Sequence, residues 1–203
     1  AIRLGLRYVR GLREQAGHAI ECATGRFRSL DHLVSHAGLR RDEVVTLADI
    51  GALNAFGYDR RSALWQTEQA VRPAGELLAD EREESDSHVD SPLRPMTETE
   101  RLVADYAGTG LTVGRHPMAL RREALAMRGV LRAIDLRSAR HGRRVRVAGM
   151  VITRQRPGTA KGFVFLTLED ETGVANIILR PDLFARDRLV IVEESFLLVD
   201  GVL

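Results

Sequence analysis

The chain has 203 residues, 44% of them hydrophobic, with a net charge of only +2 and a pI near 9.1. No apolar run approaches the ~20 residues that cross a bilayer, so no membrane partner is expected. The single cysteine, Cys22, excludes an internal disulfide framework and a cysteine-rich zinc site. The same usage points to a reducing, cytoplasmic setting, and the opening AIRLGLRYVRGLRE is broken by arginine too often to read as a signal peptide.

The small net charge hides a segregation. Residues 81–90 (EREESDSHVD) are acidic, whereas 137–161 hold Arg137, Arg140, Arg143, Arg144, Arg146, Arg154, Arg156 and Lys161 with no carboxylate among them. A local basic field of this kind suits a polyanion. Lys161 is the only lysine, so the weight lies on clustering and not on the number of arginines. Ala1 and Leu203 both fall inside patterned segments, and a piece of a longer protein is expected.

Residues 2–22 read as two short helices about a turn. The stretch Val9-Arg10-Gly11-Leu12-Arg13 has the shape of a helix-hairpin-helix turn, in which Gly11 allows the bend and the amides opening the next helix face a phosphate. Arg10 and Arg13 add charge. The second glycine usual two places on is here Arg13, and an αα-corner with a C-cap glycine accounts for the same residues. Ser29 is expected to cap a helix over Leu30 to Ala37, ended by Gly38. His32 and His36 lie four apart on its face, a metal-compatible spacing without an evident third ligand. Helices over 41–50 and 60–71 follow, with Leu64 and Trp65 expected in the core. Residues 1–71 thus read as a helical module and 72–96, with Pro73, Pro92, Pro95 and the acidic run, as a flexible linker.

Residues 97–140 read as a helical connector. Thr97 and Glu100 fit a capping box, and Pro117 suits the first position of a helix after the turn Gly114-Arg115-His116. His116 is expected to dock that turn. Over 141–203 the pattern changes to strands. Residues 143–153 alternate, with Gly149 permitting a bend. A basic loop (Arg154, Gln155, Arg156, Pro157, Gly158, Lys161, Gly162) leads to a strand over 163–168 with Phe163, Phe165 and Thr167 on one face and Val164, Leu166 and Leu168 on the other. An acidic turn, Glu169 to Gly173, leads to a strand over 174–179. Pro181 opens a short helix, 189–192 reads as an extended piece, and 196–202 as a fourth strand; a fifth is missing. Strand, basic loop, aromatic strand and turn are what the first hairpin of an oligonucleotide-binding (OB) barrel needs: cations track phosphate and rings stack on bases. Phe163 and Phe165 compete between stacking and core, and the core is expected to claim at least one. The fold class is therefore α+β, a helix-hairpin-helix module followed by an OB barrel lacking its last strand, whose open edge should make it less stable than a form one strand longer.

Taken together these motifs resemble one family. VAGMVITRQRPGTAKGFVFLTLEDETGVANIILRPDLF is similar to the C-terminal OB segment of bacterial error-prone DNA polymerases, C-family enzymes like the polymerase III alpha subunit. IRLGLRYVRGL, LADIGALNAFG, ALW and DYAGTGLTVGRHPM resemble the family's upstream pieces in the same order. The resemblance implies a DNA-contacting region of a damage-tolerant polymerase active in translesion synthesis, DNA replication and repair. It implies palm carboxylates holding two Mg²⁺ ions elsewhere in the parent enzyme. No catalytic residue and no cofactor are expected in this stretch, whose own enzymatic standing stays open. The resemblance carries Gly11 and Leu12 onto the hairpin turn and Arg154, Gln155, Arg156 and Lys161 onto the loop. With Arg10, Arg13 and Phe163 these are the candidate nucleic-acid contacts. The implied partners are single-stranded template or primer–template DNA and an accessory protein resembling a Y-family polymerase. Two other functions fit an OB barrel: a module that docks accessory proteins without touching DNA, and an RNA-binding domain of the anticodon-binding kind.

Overall fold

The computed structural model describes residues 4–23, 27–70 and 91–203. The acidic run 81–90 and most of the expected linker lie outside the described residues. The chain divides into two compact units, residues 1–113 and 114–203.

In the first unit a 3-10 turn at Leu6–Tyr8 is followed by α1 (Glu14–Glu21), α2 (Leu30–Ala37), α3 (Arg41–Asp49), a 3-10 segment at Ala52–Phe56, α4 (Arg60–Ala70) and α5 (Glu98–Thr109). The first of the two expected helices is only that 3-10 turn. Gly5 and Val9, which bracket it, are both extended, leaving too few residues for an α-helical turn with its i→i−4 bond. Gly11, at φ +78, makes the bend. The expected caps form: the Ser29 hydroxyl accepts from the His32 amide, Gly38 is left-handed, and Thr97 and Glu100 satisfy each other's amides at 3.2 and 2.8 Å.

Leu30, Leu33, Val44, Leu47, Ala48, Leu53 and Ala63 form the core of this unit. Among the described side chains of α4 the fully covered ones are Ala63 and Thr67, while Leu64 and Trp65 are only half-buried. Small residues at i and i+4 let α4 lie close on α3, and the Thr67 hydroxyl spends itself on the Ala63 carbonyl. The buried Arg60–Asp105 ion pair at 2.7 Å ties α4 to α5, and Arg60 also donates to the Asp49 carbonyl of α3.

The second unit opens with a 3-10 segment at Pro117–Arg121. Pro117 stands at its start, and the His116 Nδ1 accepts from the Met118 amide at 3.1 Å, so His116 caps this turn. Then come α6 (Arg122–Met127), β1 (Val130–Leu131), a 3-10 segment at Ala133–Ser138, β2 (Arg144–Gln155), β3 (Val164–Asp170), β4 (Gly173–Leu179), α7 (Pro181–Arg186), α8 (Arg188–Glu193) and β5 (Phe196–Val202). β2 pairs antiparallel with β3 through its second half and with β5 through its first half; β3 pairs with β4, and β1 runs parallel to β2. The result is a curled sheet of the OB kind. β1, two residues long, has no alternating pattern to announce it. Among the described residues no strand covers the free edge of β4 or of β5.

Gly149 does more than permit a bend. A Cβ there would stand 2.7 Å from the Glu169 carbonyl oxygen and 3.0 Å from the Leu168 Cβ, so β2 crosses β3 too closely for any other residue. The sheet then breaks register between Val151 and Thr153, the bulge that curls it. Asp170 fixes the β3–β4 turn: it accepts from the Thr172 amide and hydroxyl and from the Ala133 amide, each at 2.7 Å, and pairs with Arg122. Turn chemistry thus accounts for Asp170, while Glu171 pairs with Arg122.

Two expectations need correction. Residues 189–192 are not extended; they lie in α8. Ile191 packs inward with Val164, Leu166 and Leu179. The Arg154 guanidinium donates to the carbonyls of Ile191 and Glu194 and closes the helix end. A β-branched run reads as strand by propensity, and tertiary capping overrides it here. Nor does the core claim either phenylalanine: Phe163 and Phe165 are 36% and 37% exposed. The barrel interior is filled without them, by Val164, Leu166, Leu179 and Ile191 with Leu183 and Phe184 from α7 and Leu197 from β5.

Candidate nucleic-acid interface

The outer face of β2, β3 and β4 carries the candidate site. Directly opposed residues of an antiparallel pair share a face, so the register sets the rows. Gln155, Phe165 and Ile178 form one row, and Thr153, Thr167 and Asn176 the next. The Thr167 hydroxyl bonds the Asn176 side chain at 3.1 Å. Phe163, at the loop end just before β3, is also exposed. Ile178 is 65% exposed beside Phe165, so the row is an open apolar strip with polar atoms on both sides. Lower on the same sheet, Met118 packs with Ala148 and His116 lies 4.0 Å from Glu169. The 3-10 segment that carries Met118 covers the lower rows and leaves the upper ones open.

The loop between β2 and β3 borders this strip. It contains a 3-10 turn at Gly158–Ala160, then Lys161 and Gly162 in left-handed conformations. Lys161, at φ +48, is the sole non-glycine residue with positive φ among those described. A side chain held there costs about 1–2 kcal/mol, and such strain gathers at functional positions. Lys161 is exposed. Arg156 lies over the Phe184 ring at 5.0 Å, a cation–π contact that orients an exposed guanidinium. Gln155 is exposed on the strip itself.

The structure separates the other predicted contacts from this face. Arg154 projects to the inner side, opposite Leu166, where it caps α8. The eight cations of 137–161 do not form one lip. Arg143, Arg144 and Arg146 stand at the start of β2, and Arg156 and Lys161 beyond its other end, about 30 Å of strand away.

At the hairpin, Gly11 is exposed, Leu12 is half-buried against the core, and Arg10 donates to the Ala107 carbonyl. Arg13 is fully engaged. Its backbone amide and its guanidinium both donate to Glu43 at 2.9 Å, and the guanidinium also reaches the Gly38 carbonyl. Glu43 is 2% exposed and accepts a further bond from the Arg40 amide at 2.7 Å. Hydrogen bonding from the Arg13 guanidinium overcomes the burial that opposes ionisation and holds the Glu43 carboxyl at about 2. No side chain caps the start of α1, yet Glu14 places a carboxylate in its first turn, which weakens that end for phosphate. The sheet face is therefore the stronger of the two candidate contacts.

Sequence reading missed Ile178, Asn176 and Thr153 as face residues. Strand pairing alone places them, and a register count from the Glu169–Gly173 turn could have found the first two. Among the described residues no group of three or more His, Cys, Asp or Glu side chains could hold a metal ion, His32 and His36 included. No helix among them is long and apolar enough to cross a membrane.

Residues 1–63 match the family described as a helix-hairpin-helix motif, and residues 145–203 match the OB-fold nucleic acid binding domain. Along its whole length the chain is 44% identical to the error-prone DNA polymerases of Burkholderia pseudomallei (strain K96243) and Alkalilimnicola ehrlichii. It is 42% identical to that of Rhodopirellula baltica. It covers 19%, 20% and 18% of those proteins, so it spans about a fifth of the length of these relatives. The α+β reading, a helix-hairpin-helix region followed by an OB-type sheet, stands.

Proposed function

We propose that this chain, homologous along its whole length to error-prone DNA polymerases, lays single-stranded DNA across the outer face of β2, β3 and β4. One observation carries the reading: Phe165, which a barrel core would ordinarily take, is turned outward beside Ile178, and Phe163 just before β3 is exposed as well. Rings on an open sheet offer stacking area to bases, and Arg156 and Lys161 at the rim meet the phosphates between them. The hairpin at Gly11 adds a backbone contact, with Arg10 as the cation beside it. In the parent enzyme such a region would hold template strand near an active site that lies in other domains, where Mg²⁺ serves nucleotidyl transfer, in translesion synthesis during repair.

The test is binding of a labelled single-stranded oligonucleotide, read by fluorescence anisotropy. Stacking is worth ~1–3 kcal/mol per base, so Phe163→Ala and Phe165→Ala should each weaken binding about 5- to 150-fold. Unchanged affinity in both would refute the proposal. A second reading draws on a different surface. Leu189, Val190 and Val192 of α8 are exposed, an apolar helix face suited to a protein partner such as a polymerase accessory factor. Leu189→Asp with Val190→Asp should abolish capture of that factor and spare DNA binding.

A further inference from the structure

A cleft of about 330 Å³ opens at the far end of β2 from the stacking strip, lined by Arg128, Arg143, Arg144, Arg146, Gly129 and Asp200 among others. Four arginines line this cleft beside one carboxylate, and two of them bond it. Asp200 takes the Nε of Arg144 at 2.7 Å and that of Arg146 at 3.2 Å. No side-chain bond joins Arg128 or Arg143 to any described residue, although their backbone amides are used in turns. The lining therefore carries three positive charges beyond what Asp200 offsets. Such a cluster repels itself, and none of its arginines takes part in the two apolar cores that border β2. Planar forks that line a concavity match the oxygens of a phosphate, which each can grip with two N–H groups.

We infer that this cleft is a phosphate-binding site, and that its ligand is the backbone of the same nucleic-acid strand, further along its path. The inference rests on the proposed function only for the nature of that strand. The cleft lies about 30 Å of strand from Gln155, so an oligonucleotide confined to the stacking strip does not reach it, whereas a longer one does. Arg128 and Arg143 supply the free donors, and Asp200 pre-orients Arg144 and Arg146 while damping the field.

The experiment uses the 203-residue chain, single strands of about 4 and about 16 nucleotides, which bracket the site sizes of OB domains, and inorganic pyrophosphate. Arg128→Ala with Arg143→Ala should leave the short strand's affinity unchanged. It should weaken the long strand about tenfold and flatten its dependence on log salt by ~0.7 for each phosphate that the variant no longer neutralises. Asp200→Asn moves the other way: long strand and pyrophosphate should both bind more tightly, a gain that misfolding cannot imitate. Pyrophosphate should raise the melting temperature of the wild-type chain and compete with the long strand, and do neither in the double arginine variant. Equal affinity and equal salt slope for the long strand in wild type and double variant would overturn the inference. Pyrophosphate binding that depends on these arginines while the long strand ignores them would assign the cleft to a free polyphosphate and overturn the nucleic-acid part. Loss of short-strand binding on Phe165→Ala bears on the stacking strip alone, so the two ideas fail separately.

Discussion

The Arg13–Glu43 contact supports the sharpest quantitative prediction, because it joins the hairpin turn to α3 through one buried carboxylate. Glu43→Gln keeps the shape and removes the charge. The carboxylate accepts four bonds in all, two from backbone amides that have no other partner. The lowering of its pKa from an ordinary 4.5 to about 2 corresponds to about 3 kcal/mol of stability at neutral pH. A count by bonds agrees: two backbone donors left poorly satisfied cost ~1–3 kcal/mol each, while the Arg13 guanidinium is partly exposed and regains water. The sign follows from the depressed folded-state pKa. The contribution is complete above pH 4.5 and is lost as pH falls toward 2. Denaturant unfolding followed by Trp65 fluorescence measures it, since Trp65 is the only tryptophan and reports on the first unit. Wild type should exceed Glu43→Gln by about 3 kcal/mol at pH 7, and the gap should close near pH 2. A gap that stays constant from about pH 7 to about 2.5, or no gap at pH 7, would refute the reasoning.

Three further outcomes are expected. Lys161→Gly relieves the left-handed strain and should stabilise the second unit by up to ~1 kcal/mol, while weakening single-strand binding and lowering its salt slope by ~0.7; thermal melting and anisotropy read the two effects. Gly149→Ala drives a methyl into the Glu169 carbonyl and should cost ~1–3 kcal/mol, visible as faster amide exchange along β2 and β3. Arg154→Ala removes the cap of α8 and should cost ~1 kcal/mol with no change in the salt slope for DNA, because its guanidinium serves carbonyls and not phosphate.

What the sequence showed was local. Ser29, Gly38, Thr97 with Glu100, and Pro117 mark their helix ends because capping is decided within four residues. The alternation over 163–168 marks β3 because the pleat has period two. What it hid was long-range. Glu43 meets Arg13 thirty residues away, so Arg13 looked free for DNA. Arg154 meets the end of α8, so 189–192 looked like strand and Arg154 like a phosphate contact. The basic stretch 137–161 looked continuous, yet a 12-residue strand runs through its middle, which places its cations at opposite ends. At least one of Phe163 and Phe165 looked like core because the filling from α7 and α8 is invisible until those helices fold over the barrel mouth.

The most direct measurement is an NMR titration of the chain with a single-stranded oligonucleotide. Bases stacked on the strip should shift the Phe163 and Phe165 ring protons upfield, with cross-relaxation to base protons and matching shifts at Gln155, Ile178 and Lys161. Binding that leaves both rings unmoved, with shifts gathered on α8 instead, would contradict that placement of the strand.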